Sequence, residues 1–240
     1  MNIEAYHSRP RDRIVEQIEC LIIERQLKPG DRLPSERELC EKWDCNRMTF
    51  RTAVKRLVAE GKIVTVPTTG NFIAPAKFER NLQDLISFSD FIMQKGHLIN
   101  NRLISSCTIP ATAKTAEKLK IPTGSDVFEL VRLRIVDNEP ISLETAHLPC
   151  TKFASIQKYD FERLSLYSVL ERKYSVIFGG GTEEISLTYA DENEAEILNV
   201  NEGEALFYLK GLTWDENQDP VEIIKSVSRT DRLSFAGILQ

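Results

Sequence analysis

Residues 28–73, KPGDRLPSERELCEKWDCNRMTFRTAVKRLVAEGKIVTVPTTGNFI, decide how the N-terminal part of the chain folds. Ser35, with Glu38 three residues on, is a capping-box pattern opening a short helix from Glu36 to Trp43. Asn46 is a good N-cap standing just before a second periodic run. Only Asp44-Cys45-Asn46 separates the two helices, the length a helix-turn-helix needs. In the second helix Phe50, Ala53, Val54, Leu57 and Val58 form a core-facing stripe. Arg47, Arg51 and Lys55 recur at four-residue spacing on another face. Gly61 suits a left-handed position after the helix, and Ile63–Val66 followed by Pro67–Gly70 reads as a short hairpin. Taken alone, the basic helix could be a solvated surface helix. Two capped helices, a tight turn and a following hairpin weigh against that. The pattern is a winged helix-turn-helix, and its first candidate partner is double-stranded DNA, with the basic helix in the major groove.

The chain has 240 residues, 42% of them hydrophobic and 28% charged, enough for one large or two ordinary domains. Its net charge of −5 looks wrong for a DNA binder until the chain is split. Residues 1–75 hold 13 Lys and Arg against 11 Asp and Glu, a net of +2. Residues 76–240 hold 18 against 25, a net of −7. Residues 46–62 alone carry five cations and one anion. Because salt screens charge over about 8 to 10 Å, this local cluster governs contact with phosphates. No apolar stretch reaches the roughly 18 residues of a membrane span. The N-terminus, MNIEAYHSRPRDR, lacks a signal-peptide pattern, so a cytoplasmic protein is expected. The five cysteines form no Cys-x-x-Cys pair, and His7, His97 and His147 lack ligand spacing. No metal and no cofactor is therefore expected, and Cys45 reads as a small buried residue beside the helix turn.

The expected domains are 1–75, a linker over 76–84, and 85–240. The first helix is expected over Arg11–Gln26, with Ile14, Ile18, Leu21 and Ile22 on one side. Another amphipathic helix is expected from Asn81 to Lys95, using Leu82, Leu85, Ile86, Phe88 or Phe91, and Ile92, and ending at Gly96. Beyond it the chain repeats itself at an offset of 79 residues. Ala116-Glu117-Lys118-Leu119 matches Ala195-Glu196-Ile197-Leu198, and Asp191 with Glu194 is a capping box for the second copy. Val127-Phe128 matches Leu206-Phe207, Asp137-Asn138 matches Glu216-Asn217, and Pro140 matches Pro220 with one extra residue. Each unit reads as helix, strand, turn, strand. Two such units imply one antiparallel sheet with helices alongside, an α+β fold.

Period-two alternation puts Arg132 and Arg134 on one strand face and Val131, Leu133 and Ile135 on the other. The arginines read either as a clamp on a phosphate or carboxylate, or as two solvated surface side chains. The equivalent positions of the second unit, Gly211 and Thr213, are uncharged. A two-residue turn at Asn138-Glu139 would set Arg134 opposite Leu143, and a three-residue loop would set it opposite Glu144. A one-residue slip reverses the face, so the register stays open. Gly179-Gly180-Gly181 lacks the lysine and helix of a phosphate loop and reads as a flexible hairpin turn.

The stretch LKPGDRLPSERELCEKW, continued by Cys45-Asn46-Arg47-Met48-Thr49-Phe50-Arg51, resembles the DNA-binding domain of the GntR family of bacterial transcription regulators. The resemblance implies a DNA-contacting set of Ser35, Glu36, Arg37, Asn46, Arg47, Thr49, Arg51 and, in the wing, Gly70. The wing departs from the family pattern. Only Gly70 remains of a Gly-x-Gly tip, and no Lys or Arg lies between Lys62 and Lys77. Weak minor-groove readout is the expectation, because wings there normally use cations.

Residues from about 85 to 240 are similar to the UTRA ligand-sensing domain of the HutC subfamily, whose fold is similar to chorismate lyase. The matching pieces are Ile86-Ser87-Phe88-Ser89, Arg132-x-Arg134, Pro140-Ile141-x-x-Glu144, Ser165-Leu166-Tyr167, Pro220-Val221-Glu222 and Arg229-Thr230-Asp231-Arg232. By this resemblance Arg132 and Arg134 hold a phosphate, helped by Ser87, Phe88, Ser89, Ser165 and Tyr167. Glu144 and Glu222 bond sugar hydroxyls or an amino group. Ser228 stands where sugar-sensing relatives often carry Tyr, which implies a wider pocket. The leading function is a dimeric transcription regulator, most often a repressor, whose operator binding responds to a small metabolite such as a phosphorylated sugar. The alternative is a chorismate-lyase-like enzyme acting on a small anion. No nucleophile–base pair, metal set or cofactor motif supports an enzyme.

Overall fold

The computed structural model describes residues 10–84 and 86–237. His7 and Leu85 lie outside the described residues. The chain falls into two compact units, one ending at Lys77 and one beginning at Phe78.

The first unit is α1 (Pro10–Glu24), α2 (Glu36–Trp43), α3 (Arg47–Ala59), β1 (Ile63–Val66) and β2 (Gly70–Ile73). Helix α2 has the bounds the sequence implies. Ser35 Oγ accepts from the Glu38 amide at 3.2 Å, which is half of the expected capping box. Asp44 turns the chain with φ 46° and its amide caps Cys40. Asn46 then accepts from the Thr49 amide at 2.8 Å and starts α3. Ile14, Ile18, Leu39, Phe50, Ala53, Leu57 and Ile63 pack into one core. Val58 does not join them and is 40% exposed. At 3.6 residues per turn it falls in line with Arg51 rather than with Phe50. Helix α1 stops short of the expected Gln26, which takes a left-handed φ of 52°.

The second unit carries β3 (Phe78–Asn81), α4 (Phe88–Gln94), β4 (Ile99–Pro110), α5 (Ala113–Leu119), β5 (Asp126–Val136) and β6 (Glu139–Pro149). Then follow α6 (Leu166–Tyr174), β7 (Phe178–Tyr189), α7 (Glu192–Leu198), β8 (Ala205–Asp215), β9 (Pro220–Arg229) and β10 (Leu233–Ala236). Six strands form one antiparallel sheet in the order β4-β5-β6-β9-β8-β7. The 79-residue repeat is longer than the sequence pattern implies. It also relates the whole of β4 to the whole of β7, so each unit is strand, helix, strand, strand.

Three further expectations need correction. Residues 78–81, expected inside a linker, form β3 in parallel with β10. The helix expected from Asn81 to Lys95 begins only at Phe88. Asn81 instead accepts from the Gln83 amide and donates to Asp84, a local turn, and Ser87 caps α4 through the Asp90 amide. The glycine triplet is strand, not turn. It opens β7, where a Cβ on Gly179 would lie 2.3 Å from the Asp215 carbonyl and one on Gly180 would strike the Trp214 indole.

Even-numbered side chains of β5 point to one sheet face. At one end of that face Phe128 and Leu130 pack with Phe153, Phe161, Val169 and Leu170. At the other end Val136 and Ile141 pack with Phe78, Phe91, Ile92 and Leu233. Arg132 and Arg134 fall between these two apolar clusters. Helices α5 and α7 cover the opposite face through Val127 and Leu133.

Candidate functional site

In the first unit the basic residues of α3 are exposed: the side chains of Arg47 and Arg51 keep 67% and 62% of their accessible surface. Glu36, at the start of α2, holds them. Arg51 Nε donates to both Glu36 oxygens, at 3.0 and 3.2 Å, and Arg47 Nε lies 4.0 Å away. That carboxylate raises the Arg51 pKa further. Arg37, 79% exposed at its side chain, lies 3.7 Å from Glu41. Ser35 and Asn46 spend their oxygens on helix caps, which leaves the serine hydroxyl hydrogen and the asparagine amide as donors. Thr49 stands on the first turn of α3, and Gly70 opens β2 at φ 131°. The face therefore offers guanidinium forks and helix N-termini, the groups that bond phosphates and base edges. Met48, 74% exposed on α3, was not singled out by its sequence pattern, because an apolar residue reads as core.

In the second unit Ser87, Phe88, Ser89, Arg132, Arg134, Glu144, Ser165, Tyr167 and Glu222 all line one cavity of about 640 Å³. Small-molecule sites run from roughly 300 to 1,000 Å³. The register that gathers them is neither of the two that loop length alone suggests. The hairpin turn is Asp137-Asn138, both at positive φ, so Val136 faces Glu139. A bulge then leaves Ile141 unpaired, and Arg134 meets Ser142 while Arg132 meets Glu144. The arginines are not solvated: they are 2% and 3% exposed. Arg132 Nη2 donates to Glu144, and Arg134 Nη1 lies 3.5 Å from the same oxygen. Arg134 Nη2 donates to Ser89 Oγ at 2.7 Å, and its Cζ sits 5.3 Å from the Phe88 ring centre. Among the described residues, Nε and Nη1 of Arg132, Nε of Arg134 and Oε1 of Glu222 find no hydrogen-bond partner.

Charge in this cavity is finely divided. Burial opposes ionisation of Glu144, but Arg134 and then Arg132 outweigh it and hold the carboxyl below its usual range. Burial, then the Glu144 charge, pushes Glu222 up to about 7. Burial and next Glu222 push the Tyr167 phenol well up. Desolvation pulls Arg134 down to about 10, still a cation at neutral pH. The Arg132 and Arg134 cations, the firm Glu144 anion and the Glu222 carboxyl on the edge of protonation suit a ligand with an anionic head and polar substituents.

The cavity also contains Arg80 and Glu183, paired at 2.6 Å, and the hydrogen-bonded hydroxyls of Ser142 and Ser228 at 2.8 Å. The Arg80–Glu183 pair spans 103 residues of chain, so no local pattern could announce it. Among the described residues no three His, Cys, Asp or Glu side chains gather as a metal site. No helix among them is long and apolar enough to cross a membrane.

A winged helix-turn-helix joined to a sheet domain with a charged, metabolite-sized cavity defines the class of ligand-responsive transcription regulators. Comparison with known proteins gives the family. Residues 10–73 match the bacterial regulatory proteins of the gntR family, and residues 94–234 match the UTRA domain. The chain belongs to the GntR family and, carrying a UTRA domain, to its HutC subfamily. It is 32% identical over 222 residues to the HTH-type transcriptional repressor NagR of Bacillus subtilis (strain 168), covering 92% of this chain and 91% of that one. It is 28% identical over 206 residues to a probable fructoselysine utilization operon transcriptional repressor of Escherichia coli (strain K12), covering 86% and 84%. The crystal structure of PhnF from Mycobacterium smegmatis superposes with a TM-score of 0.69 at 22% identity, covering 95% of this chain and 99% of that one, a likeness of fold.

Proposed function

We propose that this protein is a cytoplasmic, homodimeric repressor whose operator binding is relieved by a small phosphorylated metabolite, a sugar phosphate in the first instance. The unit ending at Lys77 is the DNA-binding domain and the unit beginning at Phe78 is the effector domain. The eight residues Ser35, Glu36, Arg37, Asn46, Arg47, Thr49, Arg51 and Gly70 meet DNA. The nine cavity residues meet the effector: Arg132 and Arg134 take the phosphate with the Ser87, Ser89 and Ser165 hydroxyls, and Glu144 and Glu222 take hydroxyls or an amino group. A single observation carries the effector reading. A buried arginine pair has donors without partners inside a cavity of about 640 Å³, where a phosphate would satisfy them. Two relatives are named as repressors, and one of these names fructoselysine utilization. Paired recognition helices about one DNA turn apart would read a near-palindromic site. The test is a mobility-shift assay on the promoter of the protein's own gene, titrated with a panel of hexose phosphates and with inorganic phosphate. Release of DNA by a phosphosugar supports the reading. A panel that leaves affinity unchanged removes the phosphate assignment.

A further inference from the structure

The wing lacks a cation in sequence, yet one lies against it in space. Residues 30–33 run along β2 on the side away from β1. The Gly30 amide donates to the Ile73 carbonyl, the Ile73 amide to the Asp31 carbonyl and the Leu33 amide to the Asn71 carbonyl, each at 2.9 Å. Arg32 sits in the middle as a bridge partner of Phe72. Leu33 beside it is 3% exposed and anchors the segment in the core. This pairing lays the Arg32 side chain over Gly70, where a Cβ would come within 3.2 Å of Nε, 3.4 Å of Nη2 and 3.7 Å of Cζ. The glycine thus leaves room for the guanidinium. Arg32 is exposed and forms no ion pair among the described residues. Arg47 and Arg51, by contrast, are both drawn toward Glu36.

We infer that Arg32 is the cation of the wing: a guanidinium lent by the strand before α2, carried over Gly70 and inserted at the minor groove of duplex DNA, with A·T-rich, narrow-groove sequence its preferred partner. The inference rests on the DNA-binding reading and replaces the expectation of weak minor-groove readout. It assigns one strong contact to the wing although β1, β2 and the turn between them hold no Lys or Arg.

The test uses the full chain and a duplex that the wild-type protein selects from a randomised pool. Arg32→Ala should weaken binding about tenfold and reduce the slope of log K against log salt by about one. It should also lose hydroxyl-radical protection in the minor groove flanking the recognition-helix contacts, with its thermal midpoint unchanged. Arg32→Lys should keep the slope. Gly70→Asp, which sets a carboxylate against the guanidinium, should lose the same protection. Wild-type affinity, slope and footprint in Arg32→Ala, alongside lost specific binding in Arg51→Ala, would overturn the role of Arg32 and leave the recognition helix standing. A wild-type chain that selects no sequence would overturn the DNA-binding reading and Arg32 with it.

Discussion

Arg132 and Arg134 stand two residues apart on one strand, each in the other's field, and a single carboxylate serves both. Glu144 cannot match every donor of two guanidinium forks, which is why three arginine nitrogens stay unpaired. Period-two alternation made the shared face of the arginines legible. Their burial was not legible, because two clusters from distant segments wall them in. Their partner was not legible either, because the bulge at Ile141 shifts the strand phase after a turn that reads normally. Glu222 carries a prediction at this scale. Its folded pKa, about 7, lies above the ordinary 4.5, so ionising it disfavours the fold. That cost is absent below about pH 4.5 and grows as pH rises through 7. At roughly 1.4 kcal/mol per unit it amounts to ~3 kcal/mol at pH 8. Glu222→Gln should raise stability toward urea at pH 8 by up to that amount and change it little at pH 4. Equal effects at both pH values would refute the burial argument.

At the scale of the element, helix building and the proposed DNA contacts of α3 can be told apart, since Asn46 caps the helix with its oxygen and Arg51 projects from it. The caps, the tight turn and the apolar stripe were legible in sequence because each is a local rule. The helix proposed from Asn81 failed for a local reason too: Asn81 prefers its own turn, and Ser87 is the better cap. Asn46 and Arg51 make the division testable. Asn46 caps α3 through one hydrogen bond, so Asn46→Ala should cost about 1 kcal/mol of stability in thermal unfolding. Arg51 projects from the same helix into solvent and, among the described residues, pairs only with Glu36. Arg51→Ala should leave the melting temperature in place while specific operator binding falls at least a hundredfold in fluorescence anisotropy. A drop in melting temperature for Arg51→Ala would mean that its pair with Glu36 is structural.

Across the whole molecule, an internal near-symmetry is broken where the chemistry sits. Position for position, the Arg132–Glu144 pair of the first repeat corresponds to Gly211 facing Ile224 in the second. There the isoleucine Cγ2 would lie 2.7 Å from a Cβ on Gly211, so the side chain folds over the glycine and fills the space. Arg134 facing Ser142 corresponds to Thr213 facing Glu222. The arginines of the first half thus have no counterpart in the second, which carries the titrating carboxylate of Glu222 instead, an arrangement that orients an asymmetric ligand. The repeat itself could be read in the sequence; the placement of its differences into one cavity needed the register. Input and output chemistry also share no residue, since every cavity residue lies beyond Lys77 and every proposed DNA contact lies before it. Arg134→Ala should therefore bind operator with wild-type affinity and lose response to any phosphosugar that releases the wild type. Arg51→Ala should bind that phosphosugar in calorimetry as tightly as the wild type without DNA. In the wild type the coupling must be reciprocal: the factor by which saturating effector weakens operator binding equals the factor by which saturating operator weakens effector binding. For one-component regulators of ordinary coupling, 1 to 3 kcal/mol, that factor is about 5 to 150. Unequal factors measured at one temperature and salt would mean that a third linked step, such as dimer dissociation, carries part of the signal.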